Sequence, residues 1–149
     1  MRFFNTAGPC VAGQHYMIDP LQRLDLPEVE TLIDQQRYFV LHAPRQTGKT
    51  SCLLALMHHL NAAGRYQALY ANIEAAQAVR GDVDRGVAAI VGSLTLFAKI
   101  YLEDTRFSIW EQEIKVAFSP SVALTSLLSR WAQDTGKPVV LCCWTKSTP

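Results

Sequence analysis

A surplus of positive charge is missing from this chain, because its 14 Lys and Arg are matched by 13 Asp and Glu, for a formal net charge of +1. No run of Lys and Arg and no basic stripe occurs, so composition makes no electrostatic case for a nucleic-acid partner. The first residues, Met1-Arg2-Phe3-Phe4-Asn5-Thr6, carry one charge and two aromatics but no apolar stretch of signal-peptide length. No segment reads as a membrane span either, and the expected location is the cytoplasm. The four cysteines, at positions 10, 52, 142 and 143, have neither zinc-ligand spacing nor a disulfide framework. They read as free thiols, with Cys52 a small core residue of a helix. His58 and His59 are adjacent, so on a helix they face different directions and do not share a metal. Internal repeats and low-complexity tracts are also absent. What remains, 149 residues of which 49% are hydrophobic and 18% charged, is enough for a compact domain with a substantial core.

Residues 1–27 are punctuated by Gly8-Pro9, Gly13, Pro20 and Pro27 and read as an irregular N-terminal segment. Pro27 to Asp34 predicts a short amphipathic helix, with Pro at the first helical position, acids in the first turn and Val29, Leu32 and Ile33 on one face. Tyr38-Phe39-Val40-Leu41 is a β-branched and aromatic run that predicts a strand. Ser51 to Leu60 predicts a helix stopped by Gly64. Tyr66 to Ile73 predicts a second strand, and Asp82 caps a helix running through Val87, Ile90, Val91, Leu94 and Phe97, weakened by Gly86 and Gly92. Pro120 opens a further helix with Val122, Leu124, Leu127, Leu128 and Trp131 as its buried stripe and Gly136 as its stop. Pro138-Val139-Val140-Leu141 is the third strand. Strands alternating with helices predict an α/β fold with a parallel sheet. Trp110 and Trp131 fall in amphipathic stretches and read as core anchors.

The segment between the first strand and its helix carries the chemistry. Ala43-Pro44-Arg45-Gln46-Thr47-Gly48-Lys49-Thr50 fits the phosphate-binding loop pattern with Ala in the first glycine position. Such a loop works when a strand delivers it and a helix N-terminus aims its free N–H groups at an anion. Gly48 lets the backbone approach phosphate without a Cβ in the way, and neighbouring amides form a nest. The Lys49 ammonium is placed to reach β- and γ-phosphate oxygens. The Thr50 hydroxyl is the expected Mg²⁺ ligand, with waters completing the octahedron. Arg45, Gln46 and Thr47 fill the arch, and Ser51 completes the set of nucleotide-binding residues, 43–51.

On these residues, together with Phe4-Asn5-Thr6-Ala7-Gly8-Pro9, His15-Tyr16 and Pro20-Leu21-Gln22-Arg23, the chain resembles bacterial AAA-like ATP-binding proteins of the P-loop NTPase superfamily. The resemblance runs from the first residues to about Leu141. It implies a three-layer α/β/α sandwich with a mostly parallel sheet ordered 5-1-4-3-2, and Mg²⁺-ATP as ligand. It also implies ATP hydrolysis as the chemistry and a third strand ending in the Walker B acidic pair. By the same analogy His15 and Tyr16 line an adenine pocket, or else simply pack the N-terminal loop. Residues 28–141 would then be the N-terminal part of such a domain.

Residues 142–149 depart from that pattern. Where Asp-Glu is due, the sequence reads Cys142-Cys143-Trp144-Thr145-Lys146-Ser147-Thr148-Pro149, and no carboxylate follows Asp134. Without the pair, hydrolysis lacks both the anchor of the Mg²⁺ water shell and the group that orients the attacking water, so no catalytic residue is assigned. Cys-Cys-Trp-Thr-Lys is encoded TGY-TGY-TGG-ACN-AAR, and reading from the third base forces Leu-Leu-Asp and allows Glu. A reading-frame slip after Leu141 is therefore one expectation and an unrelated natural tail the other; sequencing the gene decides. With strand 4 of that order unmade, the chain should be marginal or should pair its first and third strands directly. Three functions stay open: an ATPase module that retains its binding half, a hydrolytically silent nucleotide-binding regulatory fragment, and an inert product of a frameshifted gene. No protein partner is indicated.

Overall fold

The computed structural model describes residues 1–8, 10–44 and 47–145. Pro9, Arg45, Gln46 and the tail residues 146–149 lie outside the described residues. The chain divides into two compact units, Met1–His59 and Leu60–Pro149.

In the first unit, the irregular N-terminal segment is organised by its own aromatics. Phe3 and His15 form an isolated parallel bridge, with Phe3 N–H donating to Gln14 O at 3.1 Å and Tyr16 N–H to Phe3 O at 3.0 Å. A 3-10 turn follows at Pro20–Arg23, its first amides capped by the Asp19 carboxylate, which accepts from Leu21 N–H. Helix α1, Leu26–Asp34, has Pro27 in its first turn and Asp25 as a side-chain cap accepting from Glu28 N–H at 3.3 Å. The predicted helix forms but begins one residue before Pro27, with Val29 and Ile33 buried and Leu32 half-buried. It stops where Gln36 enters the left-handed region at φ 56°, with the Arg37 amide returning to Leu32 O. Helix α2, Lys49–Ala63, starts in this unit. His59 meets Glu30 of α1 at 2.8 Å, while His58 is exposed.

The predicted first strand does not form. Residues 38–41 have no strand assignment, with Tyr38 104% and Val40 86% exposed. Alternation survives in part, since Phe39 and Leu41 are half-buried and Tyr38, Val40 and His42 exposed. The physical reason is pairing: a strand is stabilised by a neighbour's ladder and side-chain contacts, not by its own residues. Among the described residues no segment pairs with 38–41, so the expected direct pairing of the first and third strands is also not seen.

The second unit holds the sheet. Strands β1, Gln67–Asn72, and β2, Val139–Trp144, run parallel with Gln67 opposite Val139 and Asn72 opposite Trp144. β2 continues past Leu141 to include Cys142, Cys143 and Trp144. The chain between the strands forms α3, Glu74–Gln77; α4, Val83–Leu102; α5, Arg106–Ala117; and α6, Pro120–Thr135. α4 begins at the predicted cap, with Asp82 accepting from Arg85 N–H. α6 begins at Pro120 and ends at Gly136, which adopts φ 61°. The core gathers Leu69 and Ala71 of β1, Val91, Leu94 and Ala98 of α4, Phe107, Trp110 and Ile114 of α5, and Ala123, Leu127 and Trp131 of α6. Phe107 lies between the two indoles, 5.3 Å from Trp110 and 5.5 Å from Trp131. Both tryptophans are thus core residues. On β1, Asn61 imitates a neighbouring strand at Ala68: its Nδ2 donates to Ala68 O at 2.9 Å and its Oδ1 accepts from Ala68 N–H at 2.7 Å.

The result is a mixed α/β architecture with a two-stranded parallel sheet. One sequence expectation about membranes is corrected here. Helix α4 is long and apolar enough to cross a bilayer by length and composition, with a mean hydropathy of 1.4, because residues 86–98 carry no charge. In the fold, its Val91, Leu94 and Ala98 are core residues of the second unit.

Candidate phosphate-binding loop

The described part of the loop is built around three residues in a row. Thr47 Oγ1 donates to Pro44 O at 2.7 Å. Gly48 takes φ 82°, a conformation that costs a residue with a Cβ roughly 1 kcal/mol or more. Lys49 opens α2 and folds its side chain back, so that Nζ donates to Ala43 O at 2.6 Å and to Pro44 O at 2.7 Å. The ladder of α2 begins with Cys52 N–H to Gly48 O at 2.9 Å. The amides of Lys49, Thr50 and Ser51 precede that first bond and make up the turn that a helix leaves without internal partners. No acidic side chain lies in the first turn of α2 to offset its positive end.

Among the predicted site residues, the fold therefore brings together Ala43, Pro44, Thr47, Gly48 and Lys49 through hydrogen bonds and φ. It places Thr50 and Ser51, both half-buried, in the first turn of α2. Arg45 and Gln46 lie outside the described residues. Thr50 is the one residue of the loop assigned to Mg²⁺. Among the described residues no group of three or more His, Cys, Asp or Glu converges to hold a metal by itself, so a cation here would depend on phosphate oxygens and water for its other ligands.

A cavity of about 450 Å³ adjoins the loop, wholly within the first unit. Thr47 and Lys49 form one part of its wall, Val29 and Leu32 of α1 an apolar part, and Arg23 a further cationic part. Cys52 also lines it; burial pushes its thiol up, against an opposing pull from the Arg23 charge. Arg23 is the residue that sequence reasoning did not assign to the site. The only signal was a positive charge closing Pro20-Leu21-Gln22-Arg23, and nothing in local periodicity connects it to a loop more than twenty positions away.

His15 and Tyr16 do not line this cavity. His15 is buried and its Nδ1 accepts from Val11 N–H at 2.8 Å, with its ring edge-on to Phe3 at 4.7 Å. Tyr16 packs on Phe4 at 5.0 Å. Of the two roles open from the sequence, packing of the N-terminal segment is the one these contacts describe.

The end of β2 offers thiols where the resemblance implies carboxylates. Cys142 is buried and desolvation pushes its pKa up to about 12; Cys143 is exposed on its face of the strand, and partial desolvation shifts it in the same direction. At neutral pH both are uncharged, and a neutral thiol neither anchors a hydrated Mg²⁺ nor accepts a proton from water. Comparison of the chain with protein-family models, curated proteins and solved structures returned no match.

Proposed function

We propose that the chain is a P-loop nucleotide-binding module of the AAA-like kind, taking Mg²⁺-ATP on residues 43–51 and residing in the cytoplasm. The observation that carries this reading is the posture of Lys49 beside Gly48. An ammonium drawn onto the Ala43 and Pro44 carbonyls, at the start of α2, is a cation held where an anion would compete for it. Phosphate oxygens are the stronger partners, because they bring a formal negative charge to the ammonium where the carbonyls bring only a dipole. The helix start adds its own preference for negative charge.

The adjacency of β1 and β2 also supports the reading. In a sheet ordered 5-1-4-3-2 the second and third strands are parallel neighbours, and the first strand is separated from them by the fourth. Residues 67–72 and 139–144 are such neighbours. The three-layer sandwich belongs to this proposal and not to the two-stranded sheet itself.

A hydrolytically silent form of the function is favoured by Cys142 and Cys143. With protonated thiols at the end of β2, Mg²⁺-dependent phosphate release should stay at background while nucleotide binds. A fluorescent ATP analogue titrated into the protein, followed by a phosphate-release assay on the same sample, tests both parts. Saturable binding with background release is expected. Absence of binding would overturn the nucleotide reading, and Mg²⁺-dependent turnover would overturn the silent form.

A further inference from the structure

Resting on the reading of the loop as a triphosphate site, we infer that Arg23 is a second cationic contact to the polyphosphate, delivered by the 3-10 turn rather than by the loop. A Cβ built on Gly48 would lie 2.8 Å from Arg23 Nη1 and 3.9 Å from its Cζ. The guanidinium therefore packs against the Gly48 backbone, in space that a Cβ at position 48 would make it vacate. Glycine is required here for its φ of 82°, and its missing Cβ also leaves the room that the guanidinium occupies.

The arrangement is held in place from outside the loop. Asp19 caps the turn Pro20–Arg23, and the buried Cys52 thiol, one turn into α2, donates to Pro20 O at 3.5 Å. The turn carrying Arg23 is thereby tied to the helix that carries Lys49 and Thr50. Among the described residues Arg23 forms no ion pair. Asp25 and Glu28 line the same cavity without pairing with it; Asp25 is engaged instead as the cap of α1.

The chemistry of the two cations differs. Lys49 is a compact point charge on a flexible stem, whereas a guanidinium offers a planar fork that matches two phosphate oxygens at once. Arg23 should thus bind the phosphate chain itself and be indifferent to the base. The ligand class it selects is an inorganic or nucleoside polyphosphate.

The test uses the full chain and two probes, Mg²⁺-ATP and inorganic tripolyphosphate, titrated calorimetrically. Arg23→Gln should weaken both by about tenfold, the loss of one hydrogen-bonded charge contact. Arg23→Lys should fall between Arg23→Gln and the parent, which also separates lost charge from any loss of fold. The parent-to-variant gap should shrink in 1 M NaCl, where the Debye length is about 3 Å. Arg23→Gln binding both probes as the parent does, while Lys49→Ala loses them, would overturn the role of Arg23 and leave the loop assignment standing. Failure of the parent to bind either probe would overturn both.

Discussion

The two units of this chain draw on the same hydrophobic alphabet and use it differently. In the second unit, Leu69, Leu94, Phe107, Leu127 and Trp131 are fully buried in one cluster around a strand pair. In the first, Phe3, Phe4, Tyr38 and Val40 are more than half exposed, and the strand-type run 38–41 belongs to no sheet. Side-chain type does not decide burial here; a partner does. The candidate loop sits in the unit with the thinner core, where backbone can be posed by a few hydrogen bonds and one left-handed glycine.

That contrast predicts unequal responses to mutation. Trp131→Ala empties the centre of the second unit and should cost about 3–5 kcal/mol in a urea titration. A cost under about 1 kcal/mol would mean that the aromatic cluster is not the stabilising core. Asn61→Ala leaves the N–H and C=O of Ala68 without their side-chain partner. A loss of about 1–3 kcal/mol is expected, as for other unsatisfied buried backbone groups, with faster hydrogen exchange at Ala68 as the local readout.

A smaller, pH-dependent effect belongs to the turn before α5. The Asp104 carboxyl is held below its ordinary value mainly by its hydrogen bonds from Arg106. A folded pKa below the unfolded one means that the contribution is complete above about pH 4 and is lost as pH falls through the folded value. The stability gap between the parent and Asp104→Asn should therefore be constant from pH 8 to 5 and close in more acidic buffer. A gap that widens on acidification would contradict the assignment. Smallest of all should be Val40→Thr, within about 0.5 kcal/mol as for other surface changes. A cost of core size would show that 38–41 is buried in a sheet after all.

The same contrast explains what could be read in advance. Helix ends were legible where a local signal fixes them: Pro27 at α1, Asp82 at α4, Pro120 and Gly136 at α6; the Asp25 cap of α1 was not read. α5 escaped, because its buried Phe107, Trp110 and Ile114 are diluted by Glu111, Glu113 and Lys115 and Thr105 makes no capping bond. The loop was legible as a short contiguous pattern. The fate of 38–41 and the meeting of Arg23 with Gly48 depend on partners distant in sequence, and no window of neighbouring residues contains that information.

The claim on which the account rests is that the Lys49 ammonium and the first amides of α2 grip a triphosphate. Isothermal titration of Mg²⁺-ATP into the parent and into Lys49→Ala tests it most directly. The account predicts saturable one-to-one binding by the parent, weakened about 10- to 100-fold in the variant, the range expected for losing hydrogen bonds from a charged group. Equal affinity in the two proteins would contradict it.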